Sequence, residues 1–250
     1  MCMLQTALQK GFTLIELVMV IIILSVLGIM TSSYIGTGVD IYTGITDRDK
    51  SLNSVRFVME RLRREVSNAL PNSAYVSDSK DFAGNINVIN GCLTFTPIIA
   101  SSIYGSDFPI APINASSAII SPIAMDITAP ANAVVYQLSA DAPISQEITN
   151  YSAGQATLNF TNPATFPLSS PAKRVYITND NISYFFTKNK QLRRGTNCIA
   201  GVLMAENITG SFLVSAASLQ RNGLVKVTFN LDFDGQEVVV EQTLHINNVP

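Results

Sequence analysis

Charge is scarce in this chain. Asp, Glu, Lys and Arg make up 14% of its 250 residues, and from Asp81 to Ala172 there is no Lys or Arg at all. The formal charge of −2 excludes a surface built to neutralise phosphates, which needs clustered cations, so nucleic acid is not an expected partner. Histidine occurs once, at His245, and cysteine three times, at Cys2, Cys92 and Cys198. No nucleophile, base and orienting group can be grouped from so few candidates, and an enzyme is not expected. Glycines sit singly rather than in a phosphate-cradling loop. Asp232-Phe233-Asp234-Gly235 lacks the twelve-residue spacing and closing glutamate of a calcium hand, so it reads as a turn. No cofactor or metal follows from these residues. Apolar residues, by contrast, reach 47%, enough to build the core of one large domain or two small ones, which excludes a disordered chain.

The longest apolar run begins almost at once. From Phe12 to Met30 only Thr13, Glu16, Ser25 and Gly28 interrupt it, and about 20 such residues in a helix span the hydrocarbon core of a bilayer. A secretory signal peptide has a shorter apolar region and a small-residue cleavage site after it. Here Thr31-Ser32-Ser33-Tyr34 follows instead, with no A-x-A pattern. An ordinary signal anchor would not contain Glu16, because an acid inside a membrane helix costs up to about 2.5–3.5 kcal/mol where Leu or Val would cost nothing. The acid implies a partner. A cut between Gly11 and Phe12 would create a positive α-amine one helical turn from Glu16. Within one chain that pair neutralises itself; between chains it sets the axial register of two helices, a role for which buried ion pairs are suited. Glycine at the cut lets a protease approach the backbone closely.

Lys10-Gly11-Phe12-Thr13-Leu14-Ile15-Glu16 resembles the class III leader junction of type IV pilins and their type II secretion relatives. The resemblance implies that residues 1–11 are a leader, that a prepilin peptidase cleaves after Gly11 and methylates the amine of Phe12, and that Glu16 docks subunits. It also implies an inner-membrane assembly platform, other minor and major pilins as partners, and a single-pass inner-membrane protein with a periplasmic head that ends in a surface pilus. The leader carries one basic residue, Lys10, which favours retention of the leader in the cytoplasm.

Residues 12–35 form the expected membrane half of a long helix and 36–70 its amphipathic half. Gly36, Gly38 and Gly44 soften the middle at about 1 kcal/mol each relative to Ala; this is either a poor helix or a segment able to stretch during packing. Beyond them Ile45, Leu52, Val55, Met59, Leu62, Val66 and Leu70 mark one apolar face, and the helix is predicted to run to the residue before Pro71. On the other face Arg56, Arg61, Arg63 and Arg64 accompany Glu60 and Glu65. That pattern is a solvated face or a cationic surface for acidic patches of neighbours. This stretch and the closing HINNVP, His245 to Pro250, resemble the MshO-like minor pilins of mannose-sensitive haemagglutinin (MSHA) pili, and the stretch also the J-type pseudopilins and PilW-like minor pilins.

The predicted fold class is α+β: the long N-terminal helix packed against a C-terminal antiparallel β-sheet head, pilin-like. Residues 71–172 read as a loop-rich β insert with strands near Asn87–Thr96, Ala133–Leu138 and Ala156–Phe160, since proline and broken alternation shorten ladders. Residues 173–250 read as an antiparallel sheet with a strand at Arg174–Thr178, two strands about Asn189-Lys190 and a hairpin about Asp234-Gly235. Once the leader is gone, Cys92 and Cys198 are the one remaining pair, in a segment expected outside the cytoplasm, where disulfides persist. They form a bridge tying the middle of the chain to the C-terminal sheet, or else two buried thiols. The functional expectation is a minor pilin that primes or tips a filament. An adhesive tip module and a J-like pseudopilin are the alternatives.

Overall fold

The computed structural model describes residues 11–77, 88–138, 144–217, 222–233 and 236–248. The chain divides into two compact units, one ending at Lys50 and one beginning at Ser51, and helix α1 (Leu14–Ser67) contributes to both.

In the first unit every described residue from Gly11 to Lys50 is exposed. The Thr13 carbonyl accepts the amides of Glu16 and Leu17 at 3.1 and 3.2 Å and so starts the helix. The few hydroxyls in the apolar run turn back on their own backbone: Ser25 Oγ donates to Ile21 O at 2.7 Å and Thr31 Oγ1 to Leu27 O at 2.6 Å. That leaves the helix surface with few unsatisfied donors, as a lipid environment demands. Gly36, Gly38 and Gly44 are all helical.

In the second unit α1 buries Val55, Val58, Met59, Leu62 and Val66. Val58 joins the expected stripe, whereas Ile45 is exposed and Leu52 half-buried. The helix stops at Ser67, three residues short of the predicted end. Asn68, Ala69 and Leu70 pair instead with the segment leading out of a strand: Leu70 N donates to Thr96 O at 2.8 Å, Ile98 N to Asn68 O at 3.1 Å, and the Asn68 amide to Ile98 O at 2.8 Å. Leu70 precedes proline and is biased away from helical angles, which favours this exchange.

That face of α1 packs on two antiparallel sheets. A five-stranded sheet has the order β1 (Tyr75–Ser77), β2 (Val88–Phe95), β9 (Ile182–Thr187), β10 (Gln191–Thr196), β11 (Ile199–Glu206). A three-stranded sheet runs β12 (Ile208–Ser215), β13 (Leu224–Phe233), β14 (Gln236–His245). Alternation decides the faces: Leu93, Phe95, Tyr184 and Phe186 of the first sheet and Val225, Val227, Phe229 and Leu231 of the second meet the helix stripe in one core. Gly210 on β12 permits close approach both of β13 in its own sheet and of β9 in the five-stranded sheet, because a Cβ there would overlap Thr228 O and lie 2.6 Å from Phe186 Cζ. In β2 a bulge at Asn90 (φ 58°) and Gly91 (φ 82°) aims the Asn90 amide at Gly210 O, 2.9 Å away. The predicted turn at Asn189-Lys190 is a three-residue connection from Lys188 to Lys190, with Lys190 left-handed at φ 53°. Phe233 stands opposite Gln236, as a two-residue connection requires, while Asp234-Gly235 lies outside the described residues.

The stretch expected to be loop-rich forms a sheet of its own. Its order is β3 (Ile98–Ile103), β8 (Arg174–Thr178), β5 (Ala131–Val134), β6 (Ser145–Ile148), β7 (Thr157–Ala164), β4 (Ala115–Ile119). A separate core fills it, with Phe108 and Phe166 at ring centroids 5.3 Å apart among Tyr104, Phe160, Leu158 and Ile177. The predicted strand at Ala133–Leu138 begins earlier and ends at Val134, Tyr136 being left-handed at φ 53°. The strand at Ala156–Phe160 runs on to Ala164, and Arg174–Thr178 has the expected bounds but belongs to this sheet, between β3 and β5, rather than to the C-terminal one. A small seam of Leu70, Ile98, Val134 and Tyr176 joins this lobe to the end of α1.

Candidate functional site

Gly11, Phe12 and Thr13 directly precede α1, and Glu16 lies in its first turn. Phe12 is 81% exposed, and no described residue lies within 4 Å of where a side chain at Gly11 would begin. The junction is thus open to an enzyme. Thr13 and Glu16 have the spacing of a capping box, and negative charge in the first turn is favoured by the helix dipole. That local role suits a helix end in water. An apolar medium removes the solvation, and an amine freed at Phe12 would then be the nearest cation in sequence.

Cys92 and Cys198 are disulfide-bonded, with Cα atoms 6.2 Å apart across a sequence separation of 106. The bridge does not tie two regions of different architecture as expected, because β2 is itself a strand of the five-stranded sheet. It spans β9, from β2 to the tip of the β10–β11 hairpin. Asn197 and Cys198, at φ 52° and 56°, form that two-residue tip between the pair Thr196 and Ile199, the left-handed geometry of a type I′ turn. A Cβ-bearing residue is strained there, and the bond, buried with Val88 and Phe185, holds it in place.

The basic stretch of α1 is largely paired within the chain. Glu60 receives Arg63 Nη2 at 2.9 Å and Arg64 Nε at 2.8 Å, and these guanidinium hydrogen bonds hold its carboxyl at about 2. Glu65 receives Arg61 Nε at 3.1 Å, Arg194 Nε at 3.1 Å and the Tyr184 hydroxyl at 2.8 Å. Burial, then the neighbouring Glu65 charge, push the Tyr184 phenol well above its ordinary value. This network clamps α1 to β9 and β10. Neither a solvated face nor a cationic surface for neighbours, the two readings of this stretch, contains the Tyr184 and Arg194 partners of Glu65. These lie 119 and 129 residues away, and no local pattern announces them. The Thr13 to Glu16 spacing, by contrast, was readable.

Residues 7–32 match the family model of the prokaryotic N-terminal methylation motif, a span that contains Gly11, Phe12 and Glu16. No curated protein and no solved structure matches the chain. The N-terminus is therefore prepilin-like: a leader of the type processed by prepilin peptidase for pilin assembly, followed by a helix long and apolar enough to cross a membrane.

Proposed function

We propose that this chain is a minor pilin, a structural subunit that primes a type IV pilus of the MSHA kind or sits at its tip. One observation carries the reading: the methylation motif opens directly into an exposed apolar helix that bears a single acid, Glu16, in its first turn. Prepilin peptidase cuts after Gly11 and methylates Phe12. The assembly platform of the inner membrane then receives the subunit, and Glu16 meets the Phe12 amine of an adjoining pilin. The head faces the periplasm before assembly and the exterior afterwards. No catalysis is assigned to it, and a disulfide-stapled head of three β-sheets suits a structural part.

A second reading has a specific observation behind it. The six-stranded lobe with its own core exceeds what is needed to cover α1, which favours an adhesive or ligand-binding tip module delivered by the pilin helix. A J-like subunit of a type II secretion pseudopilus is the third. N-terminal mass analysis of the mature protein tests the shared premise: a chain starting at methylated Phe12 is expected, and one starting at Met1 refutes it. Deleting the gene then separates the readings, since loss of filaments marks an assembly subunit, normal filaments with poor attachment an adhesin, and a secretion defect the pseudopilin.

A further inference from the structure

The six-stranded lobe leaves and rejoins the rest of the head at one place. In the five-stranded sheet Phe95, the last residue of β2, stands opposite Ile182, the first of β9. In the lobe Ile98, the first residue of β3, stands opposite Thr178, the last of β8. The two crossings, residues 96–97 and 179–181, therefore run side by side, and the Thr96 hydroxyl donates to Asn181 Oδ1 at 2.8 Å. A stretch whose ends are neighbours can be inserted between two paired strands without parting them.

The lobe also completes itself. Its edge strands β3 and β4 meet just past their ends, where Tyr104 bridges Ile120 and Ser121 N donates to Ile103 O at 2.8 Å, so the sheet closes on itself at that corner. Closure satisfies edge groups there that would otherwise be open to another strand. The buried core inside draws only on residues from Tyr104 to Ile177, with Phe166 fully enclosed. The body, meaning α1, the segment after it and the other two sheets, keeps its own core outside the inserted stretch, together with the Cys92–Cys198 bond and the Glu65–Arg194 clamp. No strand of the lobe pairs with a strand of the body. Among the described residues the buried apolar seam sets Leu70 of the body against Ile98, Val134 and Tyr176 of the lobe. Beside the Asn68 and Ile98 pairing at the root, Asn72 Nδ2 donates to Gln137 O at 3.1 Å. So small a seam couples two cores weakly.

We infer that the six-stranded lobe is a self-contained module inserted into a pilin-like body, that it opens and closes without the body, and that filament entry belongs to the body alone. The inference deepens the subunit reading above and rests on it for the filament. It leaves the lobe free for a contact outside that filament.

The test reads native-state hydrogen exchange by mass spectrometry on the mature full-length chain in detergent micelles. The best-protected amides of β5 and β7 report the lobe, and those of β9 and β13 the body. Phe166→Ala is expected to speed exchange in the lobe at least about hundredfold, the scale of a truncated buried phenylalanine. In the body the same variant should change it by less than about threefold, as for a distant, independent site. Leu62→Ala, which truncates a fully buried residue of the helix stripe, should do the reverse, at least about thirtyfold in the body. Phe166→Leu is a milder change that keeps the lobe folded where alanine does not, and it should act in the same direction. A response shared by lobe and body in any of these variants would overturn the inference. In cells, full-length Phe166→Leu should enter sheared filaments in the same proportion to its membrane level as wild type, and a lower proportion would equally overturn it. A wild type that starts at Met1 and stays out of filaments, yet shows the two separate exchange responses, refutes the subunit reading and leaves the inserted module standing.

Discussion

Arg194 Nε lies 3.1 Å from both carboxylate oxygens of Glu65, one residue on β10 and the other on α1. The bond crosses from sheet to helix and is completed by the Tyr184 hydroxyl on Glu65 Oε2. Both charged side chains are partly shielded, at 26% and 19% exposure, so removing either partner leaves the other short of solvent as well as of its bond.

Glu65→Ala is accordingly expected to cost about 2–3 kcal/mol of unfolding free energy, and Tyr184→Phe about 1–2, measured by chemical denaturation. The Tyr184 phenol also sets a pH dependence. Its folded value is raised above the ordinary 10.0, so its contribution is complete below pH 10 and falls away as pH rises beyond it. Wild type should lose stability above pH 10 more steeply than Tyr184→Phe; identical alkaline slopes would contradict the assignment.

Gly210→Ala places a methyl group where Thr228 O and Phe186 Cζ already are. β12 must draw away from β13 and the Phe186 ring must also turn, at about 1–3 kcal/mol. A midpoint shift in urea reports it, and an unchanged midpoint would show that β12 yields freely.

The Cys92–Cys198 bond closes a separation of 106 residues, for which the chain-entropy account predicts a loss of about 4–5 kcal/mol in the Cys92→Ala/Cys198→Ala protein. Intact mass before and after reduction checks the bond itself, which should add two hydrogens. No change in mass would mean that the thiols are free.

Replacing Gly11 by a bulky residue such as Leu should block leader removal, while Gly11→Ala is slowed or tolerated. Because no atom of the described residues lies within 4 Å of the new Cβ, a block reflects the peptidase and not misfolding of the head. Normal maturation of Gly11→Leu, seen as a mass shift on immunoblot or by mass spectrometry, would contradict the cut site.

Glu16→Val removes the acid from the first turn without shortening the apolar run. Insertion and cleavage should proceed as in wild type, with incorporation into sheared filaments reduced at least about tenfold, the scale of a lost ion pair of 1.4 kcal/mol or more. Wild-type incorporation would end the docking role.

The amino-acid sequence by itself determined the N-terminal helix of this molecule. A long apolar run, a glycine before Phe12 and an acid four residues later are local features, and helical hydrogen bonds are satisfied within the segment that makes them. The stripe of Val55, Met59, Leu62 and Val66 and the hairpin strands β13 and β14 were legible for the same reason, as period and turn residues are written in consecutive positions. Strands β1, β3, β4, β6, β11 and β12 were not, because β1 is three residues long and Ala, Ser and Gly blur the alternation of the others. Only tertiary structure decided that the residues between Pro97 and Thr178 close a second core, that Cys92 and Cys198 staple one sheet, and that Glu65 is held by Tyr184 and Arg194. Such contacts join residues about a hundred positions apart, and their free energy arises only when burial brings them together, so no window of sequence contains them.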